Sequence, residues 1–300
     1  MLFRSVSQSR YKGVQYAGVM EHIDEKHSMF GSSIIIGIDI ISKGTKGYTL
    51  GRKYMHYGYT PLIQSIEDIG IHIITKEEKA KLTERGAKYI KYTENPTYCY
   101  YNGFGFTQGY FGDNRHTIKS RIMTDVSSMR LLNSDVDDDW YVGNIFYKED
   151  QKLYSQTINK KDLWKCSPVV YGFAFGNKLW CRMQIDNISD IQFSETAFDE
   201  LIIPENYKKI FVSSLTNEMP SLDSIEDKGQ GKIFLLYGAP GVGKTMTAES
   251  VAEFLKKPLY YVSVGELGIN PNQLEQALEN VMQVVIKWDA VMLLDEVAVS

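Results

Sequence analysis

The sequence predicts an α/β core with a parallel sheet at residues 231–300, preceded by a strand-rich α+β domain. Three features of the C-terminal part carry this prediction. An apolar run at 232–237 comes directly before a glycine-rich segment, a helical pattern follows that segment, and a second apolar run at 290–294 ends in two acidic residues. Short apolar runs that alternate with helical patterns indicate β-α-β units and hence a parallel sheet. Both apolar runs are predicted to be buried strands.

The glycine-rich segment reads GAPGVGKT and fits G-x-x-x-x-G-K-[ST], the pattern of a phosphate-binding loop. Its glycines let the backbone turn tightly and expose consecutive N–H groups, which attract phosphate oxygens together with the N-terminus of the next helix. The pattern predicts that Lys244 places its charge at the β- and γ-phosphates and that the Thr245 hydroxyl is a ligand of Mg²⁺. An ordinary glycine-rich turn is the alternative, which Lys and Thr at this offset disfavour. The predicted nucleotide-binding residues are Gly238, Ala239, Pro240, Gly241, Val242, Gly243, Lys244, Thr245 and Met246.

The second apolar run ends in Asp295 and Glu296, and Asp295 lies 51 positions after Lys244 (295 − 244). The carboxyl end of a strand is where open α/β sheets bind ligands. We therefore predict that Asp295 holds Mg²⁺, directly or through a water, and that the catalytic residue Glu296 polarises the attacking water. A solvated strand end is the alternative for the acidic pair alone. No Asn-Lys-x-Asp string for guanine follows the phosphate loop, which favours ATP over GTP; the string Asn159-Lys160-Lys161-Asp162 lies well before it.

With both motifs placed, the chain resembles the AAA ATPases, which are P-loop NTPases. From about residue 80 it is most similar to a group known mostly from fungi, which carries an uncharacterised N-terminal domain. By this resemblance Walker A corresponds to residues 238–245, and the Walker B acid and catalytic glutamate to Asp295 and Glu296. The strings that carry the likeness are LTERGAKYIKY (82–92), RIMTD (121–125), CSPVVYGFAF (166–175), DNISDIQFSETAFDELIIPE (186–205), GKIFLLYGAPGVGKTMTAESVAEFLKKPLYYVSVGEL (231–267) and KWDAVMLLDE (287–296).

The resemblance implies Mg²⁺-dependent ATP hydrolysis that is coupled to the remodelling of an unknown protein client. It also implies a homo-oligomeric ring, a hexamer, in which each ATP site receives an arginine from the neighbouring subunit. It also implies a sheet in the order 5-1-4-3-2, with strand 4 between strand 1 (232–237) and strand 3 (290–294). Strand 4 does not follow Asp295, so we expect an incomplete sheet and poor hydrolysis by these residues alone. A nucleotide-binding or interaction module without turnover is the alternative. The stretch 265–271 lacks the aromatic pore residue of AAA unfoldases.

The predicted organisation is an N-terminal accessory domain at 1–193, a helical connection at 194–230 and the N-terminal part of an ATPase core at 231–300. A helix is expected at 77–85 with Gly86 as its stop, a hairpin around 176–177, and a helix from 202–205 to about 217. The aromatic stretch 98–111 contains no Lys or Arg, so it indicates strand core rather than a base-stacking surface. The acidic segment 135–139 lacks the glycine and terminal glutamate of a calcium loop.

Composition excludes several function classes. The net charge of −4 and the absence of a basic run argue against general nucleic-acid binding. No apolar run is long enough to predict a membrane span. Three widely spaced cysteines indicate a reducing compartment, so we expect an intracellular protein, cytoplasmic or nuclear.

Overall fold

The structure is a computed structural model. It describes residues 2–4, 15–28, 31–59, 71–109, 112–132, 152–215, 233–263, 265 and 271–295. The chain divides into two compact units, Met1–Ile191 and Gln192–Ser300. Within the described ranges, no helix has the length and apolar character needed to cross a membrane. The acidic segment 135–139 and the catalytic candidate Glu296 lie outside the described residues.

The described residues of the first unit form three antiparallel sheets. Their strands are β1 (Leu2–Arg4), β2 (Gln15–Ala17), β3 (Val19–Ser28), β4 (Gly31–Gly44), β5 (Gly47–Tyr59), β6 (Ile71–His72), β7 (Thr97–Gly109), β8 (Gly112–Thr124), β9 (Lys152–Ser155), β10 (Val169–Ala174), β11 (Leu179–Gln184) and β12 (Ile188–Ser189). One sheet has the order β2-β1-β6, the second β3-β4-β5-β9, and the third β11-β10-β8-β7-β12, in which β11 also pairs with β7. The prediction of a strand-rich domain with few helices is confirmed.

The aromatic stretch lies in β7 as far as Gly109, and residues 110–111 lie outside the described residues. Strand β7 pairs with β8, with Tyr101 opposite Ser120. Cys99 and Tyr101 are fully buried, as are Ile118 and Ile122 across the hairpin. The period of two along each strand places these side chains on one face, which packs into the main core of the unit. Phe104 is exposed. The hairpin predicted around 176–177 is also present as β10 and β11.

Helix α1 (Lys76–Lys91) begins at a capping box, in which the Thr75 hydroxyl accepts from the Glu78 N–H and the Glu78 carboxylate accepts from the Thr75 N–H. The prediction that Gly86 stops this helix is wrong, because the helix continues for five residues beyond it. Gly86 is buried where a Cβ would collide with the carbonyl oxygen of Leu163, in the 3-10 helix Lys160–Lys165. The glycine therefore permits close packing and does not end the helix. A short helix α2 (Val126–Leu132) follows β8.

The second unit begins with helix α3 (Glu205–Leu215), within the bounds predicted for it. Helix α4 (Lys244–Phe254), strand β13 (Leu259–Ser263), helix α5 (Pro271–Lys287) and strand β14 (Val291–Asp295) follow in the predicted order. The two strands are parallel, as predicted, with Leu259 opposite Val291 and Ser263 opposite Asp295. Strand β14 is half-buried rather than buried, and Leu294 is 43% exposed.

The strand predicted at 232–237 is absent from the described part of that segment. Residues 233–238 belong to no sheet, and Ile233, Leu235 and Tyr237 are each more than 90% exposed, at 96%, 91% and 96%. An apolar run becomes a strand only when a neighbour accepts its backbone hydrogen bonds. In the order implied by the resemblance, strand 1 borders strands 4 and 5, whereas the described residues after 233 supply only β13 and β14, which pair with each other.

Candidate nucleotide-binding site

The loop before α4 has the conformation that its glycines permit. Gly241 has a φ of 80° and Gly243, the residue that caps α4, a φ of 87°. Both values lie in the left-handed region, which a residue with a Cβ adopts at an energetic cost. A Cβ at either position would meet no atom within 4 Å, so the space in front of the loop is open. The first turn of α4 faces this space with its unpaired N–H groups.

Lys244 lies half-buried at the start of α4, and its ammonium group closes the loop. Its Nζ donates to the carbonyl oxygens of Gly238 at 3.0 Å and Ala239 at 2.9 Å. The loop therefore wraps around a positive charge, next to the positive end of the helix dipole. The predicted residues Ala239, Pro240, Val242, Thr245 and Met246 are all exposed around this centre.

A residue that the sequence reasoning did not single out, Thr247, ties the loop to the helix. Its backbone N–H and its Oγ1 each donate to the carbonyl oxygen of Gly243, both at 2.9 Å. Thr247 is buried, so this contact is shielded from water. Threonine side chains in helices often donate to the carbonyl oxygen four residues earlier. The spacing of four residues between Gly243 and Thr247 is the signal in the sequence that could have identified Thr247.

Strand β14 places Asp295 at its carboxyl end, where the carboxylate accepts a hydrogen bond from a tyrosine. The Oη of Tyr261 donates to Oδ2 of Asp295 at 2.6 Å. Tyr261 lies on the neighbouring parallel strand, opposite Leu293. A hydrogen bond this short to a charged oxygen is stronger than a neutral one and fixes the orientation of the carboxylate. The sequence reasoning missed Tyr261 because the pairing register of β13 and β14 decides which of its tyrosines reaches Asp295.

The segment before the core holds α4 in place within the second unit. Phe198 and Leu201 are buried against Val251 of α4, and helix α3 packs on the same cluster. The ring of Phe211 on α3 lies 5.0 Å from that of Phe234, just before the loop. The N–H of Ser194 also donates to a carboxylate oxygen of Glu253 at 2.6 Å. Residues 194–215 therefore pack against the helix that carries Lys244.

Residues 234–299 match the family model described as the ATPase family associated with various cellular activities (AAA). The mitochondrial Lon protease homolog of Drosophila melanogaster is 33% identical over 86 residues, covering 29% of this chain and 8% of that protein. The Lon protease of Helicobacter pylori (strain J99) is 34% identical over 86 residues, covering 24% of this chain and 10% of that protein. The chain thus spans about a tenth of the length of these relatives. No solved structure matches the chain.

The family match supports an AAA-type P-loop NTPase core in residues 234–299. It agrees with the coarse prediction made from the loop and the acidic pair. The family match falls on the second unit. The fungal-type group and the role of the first unit stay predictions.

Proposed function

We propose that this protein binds ATP at residues 238–246 and hydrolyses it in a Mg²⁺-dependent reaction. The observation that carries the proposal is the open, positively charged loop, with Gly241 and Gly243 in the left-handed region and Lys244 at its centre. Negatively charged acceptors bind such a set of N–H donors more strongly than neutral ones, and phosphates provide several acceptor oxygens with negative charge. The AAA family match supports ATP as the nucleotide.

In the proposed mechanism, the loop N–H groups and Lys244 hold the phosphates and balance the charge that develops on the γ-phosphoryl group. The Lys244 ammonium already lies inside the loop on two carbonyl oxygens. An incoming phosphate oxygen carries more negative charge than a carbonyl and therefore attracts this donor from them. Thr247 keeps the cap at Gly243 fixed while the ligand binds.

Thr245 and Asp295 are the residues that would hold Mg²⁺. Hydroxyl and carboxylate oxygens suit this hard cation, and Thr245 is exposed on the first turn of α4. When bound, the cation neutralises charge on the β- and γ-phosphates. Tyr261 orients the Asp295 carboxylate for this role.

Glu296 is proposed to accept a proton from the attacking water, a role that rests on its place directly after Asp295. Glu296→Gln keeps the size of the side chain and removes the base. We expect ATP affinity to be retained and phosphate release to fall by about 10²–10⁴-fold. Binding of a fluorescent ATP analogue and release of inorganic phosphate measure the two effects.

Unchanged turnover would contradict the role of Glu296, and no nucleotide binding by the parent chain would contradict the proposed function. Binding without turnover by the parent chain would favour the nucleotide-binding module.

Asp295→Asn is expected to abolish the Mg²⁺ dependence of nucleotide retention, because the amide removes the charge that holds the cation. Tyr261→Phe removes one hydrogen bond to that carboxylate, so we expect retention to weaken by about tenfold. Retention of radiolabelled ATP with Mg²⁺ or with a chelator tests both variants. Tyr260→Phe is the matched control on the same strand, because its ring packs at 5.8 Å from Trp288 instead. If Asp295→Asn retains ATP with the full Mg²⁺ dependence of the parent chain, Asp295 does not hold the metal.

We also propose that the protein acts as a homo-oligomeric ring, a hexamer, in which the first unit selects a protein client. The AAA likeness supports the ring, since AAA subunits complete one another's sites with an arginine, and this part of the proposal rests on family analogy. Light scattering with and without ATP tests it. A monomer under both conditions would contradict the ring.

A further inference from the structure

The hairpin β7–β8 has a second face, which is turned toward solvent. Side chains of alternate residues in a strand lie on opposite faces of the sheet. One face of the hairpin is the buried core that contains Cys99 and Tyr101. The other carries exposed or half-buried aromatic and basic side chains. We call this second set the outer face, and its members are Tyr98, Tyr100 and Phe104 of β7 and Arg115, Lys119 and Arg121 of β8.

The pairing register interleaves the aromatic and basic side chains. Tyr100 lies opposite Arg121, and Asn102 lies opposite Lys119. Residues that lie directly opposite each other in an antiparallel pair share a face. Strand β7 contains no Lys or Arg, which argued against a base-stacking surface as long as β7 was considered alone, and β8 contains no Phe, Tyr or Trp. The mixed surface therefore arises only when the two strands pair.

Contacts within the outer face hold its rings in place. The Cζ of Arg115 lies 4.6 Å from the centre of the Phe104 ring. The Cζ of Arg121 lies 5.8 Å from the centre of the Tyr98 ring, and its Nη1 donates to the Tyr98 hydroxyl at 3.4 Å. The ring of Phe175 meets that of Tyr98 edge-on, with 5.6 Å between the ring centres. These cation–π and edge-to-face contacts fix the aromatic rings before a ligand binds.

The two strands also carry a local excess of positive charge. They contain a single acidic residue, Asp113, and its carboxylate pairs with the Nη2 of Arg182 on β11. The three basic side chains of the outer face stand at positions 115, 119 and 121, so they form no continuous basic run in the sequence. The net charge of −4 for the whole chain does not show this local excess.

We infer that the outer face binds single-stranded nucleic acid. Aromatic rings take the planes of unpaired bases, and neighbouring cations take the phosphates between them. Tyr98 and Tyr100 are two residues apart, which is about 6.8 Å along a strand and about twice the spacing of stacked bases, so each ring can take its own base. Phe104 is 47% exposed, so part of its ring is open to a further base.

The chemistry of the outer face favours this ligand over other polyanions. An acidic peptide satisfies the cations but brings no flat ring for the aromatic side chains. A duplex brings phosphates, but its bases are stacked on one another and are not available to Tyr100 or Phe104. The outer face belongs to the first unit, so the inference does not rest on the proposed ATP hydrolysis at residues 238–246.

Fluorescence anisotropy of labelled oligothymidine and oligouridine of about 12 nucleotides, titrated with the full 300-residue chain, tests the inference. We expect both strands to bind, because DNA and RNA share base planes and phosphates. We expect the thymidine strand annealed to its complement to bind more weakly. Lys244→Ala should bind both single strands like the parent chain, because the nucleotide loop is not involved. No binding of either single strand, or equal binding of the duplex, would overturn the inference.

Two substitutions at Phe104 test the stacking. Phe104→Leu keeps an apolar side chain but removes the ring, so we expect the affinity for oligothymidine to fall about tenfold. Phe104→Tyr keeps the ring and should bind like the parent chain. Phe104 is exposed, so neither change disturbs the core. Parent-like binding by Phe104→Leu would mean that this ring does not hold a base.

A pair of lysine variants tests the phosphate contacts. Lys119→Gln removes one cation of the outer face, so we expect weaker binding and a slope of log affinity against log salt concentration that is smaller by about 0.7. Lys81→Gln is the matched control, because Lys81 is an exposed lysine of the same unit on α1. It should leave affinity and slope unchanged. Equal losses in the two variants, or displacement of the oligonucleotide by polyglutamate at equal charge concentration, would show that only diffuse charge is recognised and would contradict the inference.

Discussion

Lys244→Ala is expected to reduce ATP affinity and turnover by about a hundredfold. The ammonium group makes two charge-assisted hydrogen bonds, now to Gly238 and Ala239 and, in the proposed complex, to phosphate oxygens. Two such bonds at about 1.5 kcal/mol each correspond to a factor of about a hundred. Because the same bonds close the loop, the variant also loosens it, and both effects act in the same direction. Nucleotide affinity and phosphate release, measured on the same preparations, check this result.

Two further variants separate the role of Lys244 from a general loss of charge. Lys244→Arg keeps the charge, but its planar guanidinium cannot take the place of a compact ammonium inside the loop, so we expect it to be nearly as defective. Lys257→Ala removes a lysine from the same unit whose Nζ pairs with Oδ1 of Asp289 at 2.6 Å, largely in solvent. Exposed pairs of this kind contribute about 0–1 kcal/mol, so its turnover should match that of the parent chain. Equal ATP affinity in Lys244→Ala and the parent chain would refute the proposed nucleotide site.

The local pattern of the sequence predicted most of the second unit. Helix α4, strand β13, helix α5 and strand β14 lie where apolar periodicity and the glycine-rich loop indicated them. The signal is strong in α5, where Val281, Val284 and Val285 are buried at helical spacing. The segment 233–237 shows the limit of this reasoning. Its residues are as apolar as those of β14. A strand also needs a partner strand, however, and the apolar composition of a segment does not tell whether such a partner is present.

Other features of the fold could not be predicted because they depend on residues that are distant in sequence. Tyr261 reaches Asp295 only through the register of two parallel strands separated by α5. Tyr48 and Tyr89 also fill the core of the first unit, and no local pattern indicated their burial, whereas Tyr101 lies in the aromatic stretch that was predicted to be strand core.

Gly86→Ala is expected to destabilise the first unit by about 2 kcal/mol, and the sign of this change is the informative part. Glycine within a helix costs about 1 kcal/mol relative to alanine, so propensity alone would make the substitution stabilising. The added Cβ, however, collides with the backbone carbonyl of Leu163, which cannot rotate away as a side chain would. Overpacking of this kind costs about 1–3 kcal/mol, and more where backbone must shift.

Urea denaturation followed by tyrosine and tryptophan fluorescence measures this effect as a lower midpoint at an unchanged slope. Ala87→Gly is the matched control, because Ala87 is the next residue of α1 and is exposed. Only the intrinsic helix propensity changes at this position, so Ala87→Gly should lower the free energy of unfolding by about 1 kcal/mol. A stabilised Gly86→Ala variant would mean that α1 does not approach the 3-10 helix at Lys160–Lys165 closely. Gly86 would then be an ordinary helix glycine.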